Sequence, residues 1–241
     1  AFNSDGYTFG SSGSFNYSTE NYVNWCFGAG GSAPTQTYTV KVVSDSGNKY
    51  RFDDFGTSAV TLDLQEGGTY TFDSSDSTVN SHPFVLGTSS GVDGSYATGV
   101  TYKLDGVTKT YSQYTSGFSS ATSRQLIITL AASAPALYYW CSQHSGMGGA
   151  INTNSTHGSS NFDGAVQSLV SANSTSGFSV IKWTSNGSNN DQLGHGLSGT
   201  PKIVLYKRYD STNDWYMWLN GVVDGSQDYI ELQDTENKVD V

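Results

Sequence analysis

Four side chains in two short segments have the chemistry to bind a metal ion together. Cys141, His144 and Met147 lie close together in the stretch Cys-Ser-Gln-His-Ser-Gly-Met, and His82 lies far earlier in the chain, next to Pro83. They offer one thiolate, two imidazoles and one thioether. Two imidazoles and a thiolate in a trigonal arrangement, with a weak axial thioether, suit copper and blue-copper electron transfer. The residue types therefore predict a copper site.

A strand and the loop after it must position three of these four side chains. Leu137, Tyr139 and Cys141 alternate along an apolar stretch, so the sequence predicts a strand that points all three toward one buried face. The following loop can then bring the second imidazole and the thioether around the same point. His82 has to come from a strand that is adjacent in space but distant in the chain.

The same residues also have a purely structural interpretation. Cys141 could be an ordinary buried thiol, His144 a hydrogen-bonded loop residue and Met147 a plug at the end of a β-sandwich. The sequence leaves both a copper-competent site and an empty pocket open.

The remaining histidines do not point to an enzyme. Only His157 and His195 are left once the predicted site is filled, and copper oxidases and nitrite reductases need further histidine-bound centres. His195 precedes Ser198, but the segment lacks the spacing of a G-x-S-x-G nucleophile elbow. We therefore predict a structural role for His195 in a Gly-rich connection and no catalytic residues.

Composition indicates an all-β protein. The chain contains 28 glycines and 16 tyrosines, and only 13% of its residues are charged, which is typical of many short strands joined by turns. Its net charge of −10 repels phosphate backbones and argues against nucleic-acid binding. No apolar run approaches the roughly 20 residues that a membrane-spanning helix needs, so no membrane span is expected.

The alternation of apolar residues divides the chain into three parts. The central part, from residue 37 to about 154, contains a regular series of predicted strands and has the size of one antiparallel β-sandwich. Residues 31–37 and 152–164 are interpreted as linkers. The first 30 residues carry a strand with Val23, Trp25 and Phe27 on one face, and residues 165–241 carry several strands. Neither flank has enough strands for a core of its own.

The central part resembles the cupredoxin family, over roughly residues 37 to 151. Its Cys-x₂-His-x₂-Met pattern is a short variant of that family's ligand loop. The long Gly/Ser/Thr-rich insertion at residues 87–123 departs from the compact electron carriers of the family. The resemblance implies a Greek-key sandwich whose equatorial copper ligands are His82, Cys141 and His144, with Met147 as the axial ligand.

The two flanks resemble halves of the repeated jelly-roll, concanavalin-like modules in structural proteins of marine bacteriophages. Residues 4–30 carry the closing half, with Ser-Asp-Gly-Tyr-Thr-Phe and Tyr-Val-Asn-Trp-Cys-Phe-Gly-Ala-Gly, and residues 177–232 carry the opening half, with Gly-Phe-Ser-Val and Leu-Gly-His-Gly-Leu. Residues 141–149 match the end of a cupredoxin-like insert in the same virion proteins. The resemblance implies three units: closing strands at 1–33, a cupredoxin-like domain at 34–156 and opening strands at 157–241.

These observations predict a non-enzymatic structural protein of a virion, as a tail, fibre or decoration component, or of an extracellular filament. Its expected partners are copies of itself, because each flank would expose an apolar strand that needs a partner. Residues 1–30 are predicted to pair with residues 165–241 by β-augmentation, either within one chain or head to tail between neighbours.

Two alternatives come from other functional classes. The first is a type 1 copper protein of electron-transfer type. The second is a glycan-binding adhesion module with a cell-surface glycan as partner, which depends on an analogy at the level of the fold. The aromatic run Trp215, Tyr216 and Trp218 could stack on sugar rings, although such alternation is also typical of a strand covered on both faces.

Overall fold

A computed structural model describes residues 2–3, 6–7, 33–90, 95–155, 158–188, 192–220 and 229–232. Within these residues the regular structure is strands, one α-helix and two short 3₁₀ turns, so the prediction of an all-β fold is confirmed. The predicted strand at residues 22–27 lies outside the described residues. In chain order the elements are β1 (Phe2–Asn3), β2 (Gly6–Tyr7), β3 (Thr35–Ser44), β4 (Asn48–Phe52), β5 (Leu62–Gln65), β6 (Thr69–Asp73), β7 (Phe84–Gly87), β8 (Val100–Leu104), β9 (Val107–Lys109), α1 (Tyr111–Gly117), β10 (Arg124–Thr129), β11 (Leu137–Cys141), β12 (Gly149–Asn154), β13 (Ser159–Asn161), β14 (Ser168–Asn173), β15 (Phe178–Trp183), β16 (Ile203–Tyr206), β17 (Tyr216–Leu219) and β18 (Ile230–Glu231).

Two sheets form the centre of the molecule. One has six strands in the order β4-β3-β6-β10-β8-β9, and the other has four in the order β5-β12-β11-β7. Alternate residues of these strands are buried, as in Tyr70 and Phe72 of β6 and in Leu62 and Leu64 of β5. Because successive side chains of a strand point to opposite faces, each sheet presents one apolar face. The buried side chains of both sheets belong to one hydrophobic core, which makes this part a β-sandwich.

Two strand pairs of the sandwich are parallel. β3 runs parallel to β6, with Thr35 opposite Thr69, and β12 runs parallel to β5, with Ile151 opposite Leu62. The prediction of a wholly antiparallel sandwich is therefore wrong at these pairs. Apolar alternation shows which side chains share a face but carries no information on the direction of a distant partner strand.

The insertion at residues 87–123 extends the six-stranded sheet. β8 pairs with β10, and β9 pairs with β8 at the sheet edge. Helix α1 begins at a capping box, in which the Thr110 hydroxyl accepts the N–H of Gln113 and the Gln113 side chain accepts the N–H of Thr110. Tyr114 of α1 is fully buried, and its ring centroid lies 4.7 Å from that of Tyr102.

Both predicted linkers contain strand structure. β3 begins within residues 31–37, and β12 and β13 occupy much of residues 152–164. Ser160 is buried, and its polar groups are hydrogen-bonded: its carbonyl oxygen accepts the Tyr38 hydroxyl (2.8 Å) and its hydroxyl accepts the N–H of Asp63 (2.8 Å). Phe162 packs into the sandwich core, 5.8 Å from the Tyr38 ring. The polar composition of residues 152–164 gave no indication of these buried contacts.

The C-terminal part forms two small antiparallel sheets, β13-β14-β15 and β16-β17-β18. Of the described apolar residues in this part, Val166 and Val170 are buried, whereas Val180, Trp183 and all of β16 are exposed. Among the residues that the structure describes, no helix has the length and apolar character to cross a membrane.

Candidate metal centre

His82 is positioned by a short turn on one side and a strand on the other. The 3₁₀ turn Ser77–Val79 is capped by Asp76, and the backbone N–H of His82 donates to the carbonyl oxygen of Val79 (2.8 Å). Pro83 follows His82, and a residue before proline favours extended backbone. The chain therefore leaves the turn at His82 and enters β7 at Phe84.

Cys141 is the last residue of β11 and faces the core. It lies opposite Phe84 of β7 in an antiparallel pair, so the end of β11 meets the segment that carries His82. Leu137, Tyr139 and Cys141 are all buried, which confirms the predicted strand face. Cys141 is fully buried and is a free thiol.

The loop after Cys141 lies against the segment that carries His82. The N–H of Ser142 donates to the carbonyl oxygen of Pro83 (3.1 Å), which fixes the start of the loop against the His82 segment. Gly146 has φ +73°, and a Cβ at Gly148 would lie 1.7 Å from the carbonyl oxygen of Tyr139. Both positions thus favour glycine, the first for its backbone conformation and the second for space.

The loop and the two strand ends bring three predicted ligands together. Cys141 Sγ lies 3.5 Å from His144 Nδ1 and 3.9 Å from His82 Nδ1, and the two Nδ1 atoms are 3.1 Å apart. A metal ion held in a plane at roughly 2.0 to 2.3 Å from three ligand atoms separates those atoms by about 3.5 to 4.0 Å. The two edges at sulfur fit this triangle, and the edge between the imidazoles is somewhat shorter. The three residues could therefore bind a metal ion.

Met147 lies on the same loop and is buried. Its carbonyl oxygen accepts the backbone N–H of Tyr50 (2.9 Å), so the loop is attached to β4 at this residue. The assignment of its thioether as an axial ligand stays a prediction.

The two imidazoles differ in environment. His82 is buried, and burial lowers its pKa, with a smaller contribution from His144 nearby. A neutral imidazole is the form that binds metals, so the burial of His82 favours the ligating state at neutral pH. His144 is exposed and forms the solvent-facing edge of the cluster.

β4 supplies contacts that the sequence did not suggest. The Asn48 side-chain nitrogen lies 3.5 Å from His82 Nε2, and the Lys49 ammonium donates to the carbonyl oxygen of Gly146. The Tyr50 hydroxyl donates to the carbonyl oxygen of His82 (2.8 Å). The alternating residues of Asn48–Phe52 mark a strand, but nothing local in them indicates that the strand lies beside the ligand loop.

The remaining predicted residues lie elsewhere. His195 Nδ1 accepts the N–H of Leu197 (3.0 Å), a local bond that fits the structural role predicted for it. His157 lies outside the described residues. Of the aromatic run, Tyr216 and Trp218 are half-buried in β17, and Trp215 is exposed with the Lys207 ammonium 5.7 Å from its ring centroid.

Comparison with known proteins gives one match. Residues 150–241 match a family that is described as a domain of unknown function, DUF7483. No curated protein and no solved structure matches the chain. The matched region begins in β12 and includes the two C-terminal sheets, so all four predicted ligands lie outside it.

Proposed function

We propose that the central sandwich binds one copper ion through His82, Cys141 and His144, with Met147 as a weak axial ligand. The observation that carries this proposal is the convergence of one sulfur and two Nδ1 atoms, with separations of 3.1 to 3.9 Å, at the edge of a packed core. Bound copper would supply one-electron redox chemistry.

Copper fits the donor set better than zinc does. Structural zinc sites take four N or S ligands in a tetrahedron, whereas this cluster offers three such ligands and a thioether from Met147. Thiolate and thioether are soft ligands that favour copper, and a trigonal His₂Cys set with a distant Met is the blue-copper arrangement.

The surroundings of the three ligands suit a metal ion that gains and loses an electron and binds no substrate. Cys141 and His82 are buried, which keeps water from the sulfur, and exposed His144 leaves one ligand in contact with solvent. We therefore propose a binding or electron-transfer site, not an enzyme.

Copper titration of the purified chain tests this proposal. We expect one equivalent of Cu(II) to bind and to produce an intense visible absorption, because a thiolate ligand gives such sites their charge-transfer band. Cys141→Ser should abolish that band while leaving the far-UV circular dichroism unchanged. A chain that binds no copper, or a Cys141→Ser variant that keeps the band, contradicts the assignment.

A second candidate function is assembly of a virion or extracellular structure from copies of the chain. The observation that favours it is β16, whose residues Ile203, Val204, Leu205 and Tyr206 are 57, 39, 49 and 37% exposed. Since neighbouring residues of a strand point to opposite faces, β16 has exposed apolar side chains on both faces. Contiguous exposed apolar surface on a soluble protein marks an interaction site.

The candidate cover for this surface is residues 1–30 of a neighbouring copy, which carry Val23, Trp25 and Phe27. The virion location depends on the resemblance of the flanks to bacteriophage structural proteins and is part of this proposal. Sedimentation of the full chain should show ordered assemblies, and deletion of residues 1–30 should leave monomers or irregular aggregates. Ordered assemblies that persist after the deletion contradict it.

A further inference from the structure

Tyr50 contacts the candidate metal centre from the opposite side of the sandwich. It lies in β4, is fully buried, and its ring centroid is 5.2 Å from that of Phe84. Its hydroxyl donates to the carbonyl oxygen of His82 (2.8 Å), and its backbone N–H donates to the carbonyl oxygen of Met147 (2.9 Å). One residue of the six-stranded sheet thus binds two separate ligand-bearing segments.

We propose that Tyr50 is a positioning residue that holds the segments of His82 and Met147 in the geometry that copper requires before the metal arrives. This inference rests on the copper site proposed above. Each contact acts on a different segment, and the ligands themselves come from β11, the following loop and the turn before β7, so no single segment could fix their mutual arrangement. Tyr50 joins the His82 segment to the loop that carries Met147 because it is buried and hydrogen-bonded to both.

Loss of the Tyr50 hydroxyl should lower the affinity for copper and have only a small effect on the stability of the metal-free chain. Groups that orient metal ligands typically change metal affinity by 10- to 100-fold when they are removed. In Tyr50→Phe the ring still fills its place in the core, but the carbonyl of His82 loses its donor. The His82 segment is then free to shift, and the imidazole leaves the position from which Nδ1 faces Cys141.

Tyr38→Phe is a matched control. Tyr38 is also fully buried, also lies in the six-stranded sheet and also donates its hydroxyl to a backbone carbonyl at 2.8 Å, that of Ser160. Its partner carries no predicted ligand. Both variants lose one buried hydrogen bond of the same kind, so their effects on the stability of the metal-free chain should be similar.

The test measures copper affinity by chelator competition, the visible charge-transfer spectrum and urea unfolding of the metal-free chain for wild type and both variants. We expect Tyr50→Phe to lose 10- to 100-fold in affinity and to shift the charge-transfer band, and Tyr38→Phe to change neither. A Tyr50→Phe variant with wild-type affinity and spectrum overturns the inference, as does an equal loss of affinity in Tyr38→Phe. A wild-type chain that binds no copper overturns the proposed copper site itself, and with it the role of Tyr50.

Discussion

The central sandwich and the C-terminal sheets contain strands of similar apolar sequence, but they differ in how far the side chains of those strands are buried. In β6, Tyr70 and Phe72 are fully buried between two sheets, whereas every residue of β16 is exposed. Nine of the ten large hydrophobic residues that are most exposed among the described residues lie between Val180 and Leu232. Local sequence produces a strand in both regions, but among the described residues it is the sandwich that places a second sheet against the first.

This difference in burial decides which region can hold metal ligands in fixed positions. The ligand-bearing ends of β11 and β7 are held by a core in which the Phe72, Phe84 and Tyr139 rings pack together, with Phe72 and Phe84 centroids 4.8 Å apart. A metal site needs ligand atoms held to within fractions of an ångström. The sandwich can provide that precision, whereas the C-terminal sheets expose many of their apolar side chains.

The largest effect should follow from a cavity in the sandwich core. Phe72→Ala removes a fully buried ring that packs against Phe84 and Tyr38. Such a substitution costs about 3 to 5 kcal/mol of unfolding free energy. Urea unfolding followed by near-UV circular dichroism measures the loss, and a cost below about 1 kcal/mol would show that the sandwich is not the stabilising core described above.

A smaller effect should follow from loss of the turn that precedes His82. The Asp76 carboxylate accepts the backbone N–H (2.9 Å) and the hydroxyl (2.7 Å) of Thr78. Asp76→Ala removes this cap and should cost about 1 kcal/mol. Asp76→Asn keeps an acceptor at the same place and serves as the control.

The Asp76 cap also predicts a pH dependence. The hydrogen bond from the Thr78 backbone lowers the pKa of Asp76 below its usual value. A carboxylate with a lowered folded-state pKa stabilises the protein above its unfolded pKa of about 3.9, and the contribution disappears as the pH falls through the folded value. The stability difference between wild type and Asp76→Ala should therefore shrink below about pH 4. A difference that stays constant down to pH 2 contradicts the role of the charge.

The smallest effect on folding should come from the exposed strand. Leu205→Ser changes a side chain that is 49% exposed, so the unfolding free energy should change by no more than about 0.5 kcal/mol. If the chain assembles as proposed, the same substitution should weaken that assembly, measured by sedimentation velocity, because it makes an exposed face of β16 more polar. A stability loss comparable to that of Phe72→Ala would mean that β16 is already covered within one chain.

The strands and the ligand types could be predicted from the sequence because both have local signals. Alternating apolar residues marked β6 and β11, and the end of β11 placed Cys141 at the start of a loop. The convergence of His82 with that loop was expected from residue chemistry, and the structure brings their ligand atoms together. The axial role of Met147 and the pairing of residues 1–30 stay predictions.

What the sequence could not show depends on partners distant in the chain. The parallel pairing of β3 with β6 leaves no local signature, and neither does the buried environment of Ser160 in a polar stretch. Tyr50 looked like any alternating strand residue, since its contacts with His82 and Met147 arise only when β4 packs beside the ligand loop.

X-ray absorption at the copper edge of the Cu(II)-loaded chain tests the central claim most directly. The technique identifies the atoms bound to the metal, independently of colour or affinity. We predict a first shell of one sulfur at a short distance and two imidazole nitrogens, with the sulfur lost in Cys141→Ser. A first shell of nitrogen and oxygen alone in the wild-type chain would contradict copper binding by Cys141, His82 and His144.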